Sequence, residues 1–328
     1  MFVEAVRKIL QAEVTPAYVR SVEQSGQLGK PWDALEEAGF LDLLVPESEG
    51  GAGMELPDLY AICHLQGSLA APMPLVDTVI ARTSLGVAGR ADMPRGPIAL
   101  ASTSACSKDG GLVCAHLPFG TVVKHVLVVT ADTTLLLATE GASVTSAGIW
   151  SSQLASLAWP AGYADTALTT ECPPKQLEAF AAASYAAMLC GAMEKVFQMT
   201  LQHCNDREQF GKSLGKFQAV QHQLAVMAEH IVAANLATQA AFGEGYAPLP
   251  VPAAIAKSRA SEAALLVANT AHALHGAVGI TAEYDLQLYT RRLHEWRMAH
   301  GSEAFWHRWL GTQVLASQGT FCDFVQAT

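Results

Sequence analysis

The sequence predicts a mostly helical protein with a small β domain in its middle. Three observations predict this. Apolar residues recur at steps of three and four in both end regions. Between about 95 and 172 the texture changes to short β-branched runs divided by turn residues. Pro173-Pro174 then closes that region. The expected layout is an N-terminal helical domain over 1–94, a shortened β domain over 95–172 and an antiparallel helix bundle over 173–328.

The elements follow in order. Trp32, Leu35, Ala38 and Phe40 have roughly helical spacing, and so do Leu56, Leu59, Ile62 and Leu65. Between the two patterns Val45-Pro46-Glu47 through Gly50-Gly51-Ala52-Gly53 reads as a Pro/Gly-rich loop. Gly120–Val129 and Thr133–Thr139 read as strands. Leu177, Phe180, Ala181, Tyr185, Met188, Ala192, Val196 and Met199 share one helix face. Phe217, Val220, Leu224, Met227 and Ile231 mark a second long helix, and an Ala-rich third runs over about 252–274. Gly243-Glu244-Gly245 through Pro252 links the last two.

Composition narrows the function. The 328 residues are 51% hydrophobic and 15% charged, enough for one large core or two to three linked domains. A net charge of -10 disfavours nucleic acid, because an acidic surface repels a phosphate backbone. Seven scattered cysteines with no CxxC predict a reduced, cytoplasmic protein without a disulfide framework. No basic segment followed by an apolar stretch opens the chain, so a signal peptide is not expected. Apolar runs such as Leu177–Met193 are broken by polar residues and predict buried helices, not a membrane span.

Three stretches carry chemistry. Arg207-Glu208-Gln209-Phe210-Gly211 joins two helices, with a planar cationic fork suited to pyrophosphate and a flat apolar wall. Gln218 and Gln221 lie one turn apart on the next helix and can offer amide donors, at a helix start that favours anions. Taken alone, the stretch reads first as an ordinary interhelical turn. His275-Gly276-Ala277-Val278-Gly279 allows close approach of backbone N–H groups to a ligand, and it equally reads as a helix terminator. His294 and His300 stand six residues apart, which suits neither metal-pair spacing, so no metal site is expected.

In this order, the pieces resemble the acyl-CoA dehydrogenase family. Arg207–Gly211, Phe217-Gln218-Ala219-Val220-Gln221 and Gly276–Tyr284 match its Arg-x-x-Phe-Gly, Gln-rich helix and Gly-rich loop, the last with wider glycine spacing. Trp32–Phe40 and Pro46-Glu47 through Gly53 match its N-terminal helix and loop. The resemblance implies an FAD cofactor, an acyl-CoA substrate and a dimer or tetramer. It implies that Arg207, Gln209, Phe210, Gln218, Gly276 and Gly279 touch the dinucleotide of a flavin held mainly by a neighbouring subunit.

The chain also departs from the family. The family's catalytic Glu, counted without gaps from Glu283-Tyr284, falls on His300-Gly301-Ser302. His300 is therefore the catalytic candidate by position, with a partly exposed helix-end histidine as its plain reading. The alternative family position falls on about Ala181, and Glu178 would need another register. Ile98–Ser107 stands where the family carries Glu-Pro and Gly-Ser-Asp around the flavin ring, and lacks both. The tail from His275 to Arg292 resembles one half of heteromeric members acting on steroid side-chain CoA esters. The expected function is thus FAD-linked α,β-desaturation of an acyl-CoA thioester, by a subunit that completes a shared flavin site with a different catalytic chain. The other readings are a homo-oligomeric flavoenzyme with His300 as base, and a helical scaffold without flavin.

Overall fold

A computed structural model of the chain describes residues 2–85, 94–107, 109–131, 133–149, 152–170, 172–243 and 245–326. Glu244, inside the expected linker, lies outside them. The chain divides into two compact units. Unit 1 holds Met1–Ile62, Ala71–Ala181 and Glu244–Pro248; unit 2 holds Cys63–Ala70, Ala182–Gly243 and Leu249–Thr328.

In unit 1, α1 (Phe2–Glu13), α2 (Pro16–Ser25) and α3 (Lys30–Glu37) form the N-terminal end. Thr15 caps α2 by accepting from Tyr18 N–H, Pro16 opens its first turn, and Gly26 closes it at φ +69°. The Pro46–Gly53 loop is a loop as expected: Gly53 N–H donates to Val45 O at 2.7 Å. A Cβ on Gly51 would lie 2.2 Å from that same carbonyl, so only glycine closes the turn. Two helices follow, α4 (Leu56–Ser68) and α5 (Leu75–Ser84).

Buried Arg82 on α5 ties this region together. Its guanidinium donates to Glu36 Oε1 at 2.8 Å and to Asp42 Oδ2 at 3.1 Å. Burial alone would raise the Glu36 carboxyl, but Gly96 N–H and Arg82 outweigh it and hold the carboxyl below its usual range. The same helix meets the first strand, β1 (Ile98–Ala101), through side chains. Thr78 Oγ1 accepts from Ile98 N–H at 2.9 Å, and Asp77 Oδ2 accepts from Leu100 N–H at 3.3 Å.

The β region is two four-stranded sheets. The first uses β1, β4 (His125–Val129), β5 (Thr134–Ala138) and β8 (Leu168–Thr170) in that spatial order. β1 runs parallel to β4, with Ile98 opposite His125, and the other pairs are antiparallel. The second sheet has β2 (Ala105–Cys106), β3 (Leu112–Leu117), β7 (Ala155–Trp159) and β6 (Ser143–Ser146) in that spatial order, all antiparallel. The expected strand at Gly120 starts later, at His125. Phe119 sits at φ +58° and Thr121 N–H bonds Gln153 O, so residues 119–122 turn rather than extend.

Pro174 opens α6 (Pro174–Asp206), a 33-residue helix. From Leu177 to Met193 almost every side chain is buried, which is why its polarity pattern is weak for its length. Unit 2 is built from its later part with α7 (Gln218–Ala241), α8 (Pro250–His275), α9 (Leu286–Met298) and α10 (Glu303–Ala316). A short α11 (Phe321–Gln326) ends it. α8 packs against α7, α9 and α10, and its alanines 253, 256, 260, 263 and 264 are fully buried. By length and composition the stretch Pro250–Ile280 alone among the described residues could cross a membrane; its buried Lys257 and Ser261 mark it as a core helix.

In unit 2, two helices touch backbone to backbone. A Cβ on Gly67 would lie 1.9 Å from Met188 O, and one on Gly191 would lie 1.9 Å from His64 O. Beside this crossing His64 Nε2 meets Glu194 Oε2 at 3.2 Å, and Asn235 Nδ2 donates to Glu194 Oε1 at 2.6 Å. Gly191→Ala is expected to destabilise by ~1–3 kcal/mol or more through overpacking. Gly311→Ala, in open space on α10, is expected to stabilise by ~0.5–1 kcal/mol. Urea denaturation of the two variants checks both signs.

Candidate functional site

The far end of α6 in unit 2 gathers most of the expected site residues. Arg207 follows the helix directly, and its N–H still bonds His203 O at 2.9 Å. Then β9 (Glu208–Gln209) and β10 (Lys212–Ser213) pair antiparallel, with Gln209 opposite Lys212. Phe210 and Gly211 form the two-residue loop, at φ +53° and +80°. Positive φ at both central residues is what a tight hairpin requires, and glycine takes it freely. Phenylalanine does not, so Phe210 is held in a strained conformation. Its ring is also 91% exposed. A strained, solvent-facing aromatic is a surface feature without a folding purpose of its own.

The surroundings of the hairpin suit an anion with an attached ring. Arg207 is exposed, and while its backbone bonds His203 and Leu214, its guanidinium makes no hydrogen bond or ion pair with a described residue. Lys212 Nζ stands 4.2 Å over the Phe217 ring, and Phe210 meets Phe217 edge-on at 6.4 Å. Phe217 begins α7 without a side-chain cap, so the first N–H groups of that helix stay available. Gln209 and Gln218 are exposed. Gln221 is not an equal partner: its Nε2 donates to Gly215 O at 2.9 Å and pins the hairpin exit.

The Gly-rich loop is brought beside the hairpin root by two histidines. His203, one turn before Arg207, stacks on His275, the last residue of α8, at 4.4 Å and 23°. His275 Nδ1 donates to Ala271 O at 2.8 Å, and Tyr284 lies 5.3 Å from its ring. Next to them a groove of about 330 Å³ is lined by Lys195, Gln198, Gln202, His203, Asp206 and Tyr284. The two glycines of the loop differ. Gly276 is exposed at φ +63°, where its backbone can approach a ligand. Gly279 is buried, and a Cβ there would lie 2.9 Å from His275 Cβ. Gly279 is thus packed into the loop while Gly276 faces outward.

His300 is well placed but poorly endowed as a base. It sits at φ +53° with its ring edge-on to Tyr185, 4.4 Å between centroids. Burial, then the charge of Lys257, drive its pKa down to about 3. Both effects disfavour the protonated imidazole and so weaken His300 as a proton acceptor in the isolated chain. Glu178 on α6, in unit 1, is half-buried, and burial raises its carboxyl against the pull of Lys175. Ala181 offers no functional group. No group of three or more His, Cys, Asp or Glu is placed to hold a metal among the described residues.

In unit 1 the Ile98–Ser107 stretch is β1, a turn and β2. Ser102 is buried and Ser104 Oγ donates to Val129 O at 2.6 Å, so this hydroxyl is spent on the sheet. The Glu-Pro and Gly-Ser-Asp are missing, and the polar groups that remain in this stretch are the hydroxyls of Ser102, Thr103, Ser104 and Ser107 and the Cys106 thiol; Ser107 Oγ accepts from Gly111 N–H and Thr103 is exposed. The exposed guanidinium, aromatic ring and Gly276 backbone in unit 2 suit a group such as the FAD dinucleotide, while this stretch offers a flavin ring mainly hydroxyls.

The fold is a helix bundle with a small β region and an exposed basic, aromatic hairpin, and comparison with known proteins gives it a family. The acyl-CoA dehydrogenase N-terminal domain matches residues 1–91 and the C-terminal domain matches residues 179–314. Acyl-CoA dehydrogenase IpdE2 of Mycobacterium tuberculosis is 31% identical over 302 residues, covering 90% of each chain. The chain belongs to the acyl-CoA dehydrogenase family, a family of oxidoreductases, as a divergent member. Its fold matches the ChsE4-ChsE5 complex of Mycobacterium tuberculosis, with a TM-score of 0.79, 21% identity and 97% of each chain covered. A variant of the Tcur3481-Tcur3483 steroid ACAD matches with a TM-score of 0.79 and 24% identity, over 96% of this chain and 98% of that one.

Sequence reasoning did not find the His203–His275 stack or Lys257. The signal for Lys257 was present as a lone lysine within the small residues of α8.

The histidines at the bundle end predict a pH dependence. Burial lowers His203, His272, His275 and His294 below their ordinary 6.5. Above that value both folded and unfolded chains are neutral there. As pH falls through it the unfolded chain takes up protons first, so stability drops. His275→Phe keeps a stacked ring and is expected to flatten the fall in melting temperature between about pH 7 and pH 5. A thermal-shift series against pH checks this.

Proposed function

We propose that this chain is a subunit of an FAD-linked acyl-CoA dehydrogenase working in the cytoplasm, and that it completes a flavin site shared with a different, catalytic chain. The observation that carries the reading is the hairpin: an exposed arginine beside a strained, 91% exposed phenylalanine. Both gain from covering a phosphate-linked ring system, and neither serves the fold of unit 2. In this reading Arg207 holds the pyrophosphate bidentately, and Phe210 covers the adjoining apolar surface. Gln209 and Gln218 supply amide contacts, and Gly276 admits close backbone approach. Gly279 acts one step back, by letting the loop pack on His275.

Bound FAD would supply the hydride acceptor for α,β-desaturation of an acyl-CoA thioester. The proton-accepting group comes from the other chain, because position 300 here carries an imidazole that burial and Lys257 keep neutral. The ChsE4-ChsE5 and Tcur3481-Tcur3483 names each pair two proteins, and the second is called a steroid ACAD. These names support a dimer or tetramer of unlike chains and an acyl-CoA whose acyl part derives from a steroid.

Purification decides the point. The chain alone is expected to be colourless. Co-expressed with a family member that has its catalytic Glu, it is expected to yield a flavin spectrum and to reduce that flavin with acyl-CoA. Arg207→Ala in the complex is expected to weaken FAD binding ~10-fold or more, with melting temperature of the isolated chain unchanged, since a charge-assisted hydrogen bond contributes ~1.5–3 kcal/mol. Bound flavin and turnover by the chain alone would sink the partner reading. Flavin in no combination would favour a scaffold.

A further inference from the structure

Lys257 on α8 is fully buried, and its ammonium is completely used. Nζ donates to Ser261 Oγ at 3.0 Å, to Arg297 O at 2.9 Å and to Gly301 O at 3.0 Å. Ser261 Oγ donates its own proton to Arg297 O at 3.3 Å, so it accepts from the lysine and does not give to it. All three lysine N–H groups are then committed, which is the pattern of a charged amine. One acceptor, Arg297 O, lies at the end of α9, where the helix carries its partial negative charge; Gly301 O lies three residues past the helix.

The two carbonyls bracket a turn. Between them lie Met298, Ala299 and His300, and the chain then reverses through His300 at φ +53° and Gly301 at φ +95°. Other groups pin the same turn. Trp306 Nε1 donates to His300 O at 3.0 Å, and Arg297 pairs with Glu303 across it. The His300 ring is held against Tyr185. The titratable and charged groups around the Lys257–His300 pair are Tyr185 on α6, Arg297 on α9 and Glu303 on α10. Glu303 favours the lysine charge and Arg297 opposes it, while burial dominates and brings Lys257 to about 7.

We propose that Lys257 is a positioning residue whose buried cation, bonded to both ends of the Arg297–Gly301 turn, clamps that turn and sets a positive charge beside His300, making the family's base position a fixed wall. The inference deepens the partner-subunit reading and rests on it for its meaning. Geometrically it stands on the three committed hydrogen bonds and on the bracketed turn. A cation placed to satisfy these carbonyls also opposes a proton on the neighbouring imidazole. One buried amine thus does both jobs.

The test follows the His300 ring by NMR through a pH titration of histidine-labelled protein, with His300→Gln to assign the signal. In the wild-type chain His300 is expected to stay neutral down to about pH 5. In Lys257→Met its titration is expected to move upward by about one pH unit or more, because the positive charge bonded to the neighbouring Gly301 carbonyl has been removed. Lys257→Arg keeps the charge and is expected to leave His300 neutral. A wild-type His300 that titrates near 6.5, its ordinary value, overturns the proposal, even if Lys257→Met fails to fold. So does a folded Lys257→Met with an unchanged His300 titration. The readout needs no flavin. Its failure leaves the flavin reading intact, and the Arg207 experiment can fail without touching this one.

Discussion

Where Gly67 faces Met188 and Gly191 faces His64, two helices approach until only backbone separates them. Much of unit 2 depends on that contact. It sets the depth and rotation of the later part of α6, whose buried side chains leave little room for adjustment. The end of that helix is then also set, and with it His203, which meets His275 and draws the α8 terminus alongside. The hairpin after Asp206 and the loop after His275 are neighbours because of a choice made several turns earlier. Small residues at a crossing are thus as much part of the candidate site as the side chains that would touch a ligand.

Two buried cations show two solutions to one electrostatic problem. Arg82 in unit 1 is met by carboxylates, Glu36 and Asp42, and its planar fork suits paired acceptors. Lys257 in unit 2 is met by neutral oxygens, one a helix-end carbonyl and one a turn carbonyl. The first keeps its charge cheaply, since opposite charges are in contact. The second stays near the edge of losing it, with its pKa brought to about 7. The contrast is also in their neighbours: Arg82 lowers the Glu36 carboxyl it meets, while the Lys257 charge adds to burial in opposing a proton on His300.

The sequence made most of the helices legible, because their signals are local. Pro173-Pro174 marked the start of α6, and the Ala-rich run matched α8 within a few residues. Met199 ended the expected face of α6, but the helix continues to Asp206, since its last turns are exposed and lose the apolar rhythm. The parallel pairing of β1 with β4 could not be read, for register between distant strands leaves no mark in either one. Arg207, Phe210 and Gly276 were legible as a motif. The positive φ of Phe210 was not, because nothing in the residue type asks for it. Position 300 was found by counting. Its lack of basicity depends on a lysine on another helix, which no count along the chain reveals.

Phe210 raises a different matter. An apolar ring held in water on a strained tip is a small reservoir of free energy kept in the unpartnered chain. Covering the ring would take that apolar surface out of water, so any group that seats on the tip gains from an exposure the hairpin itself maintains.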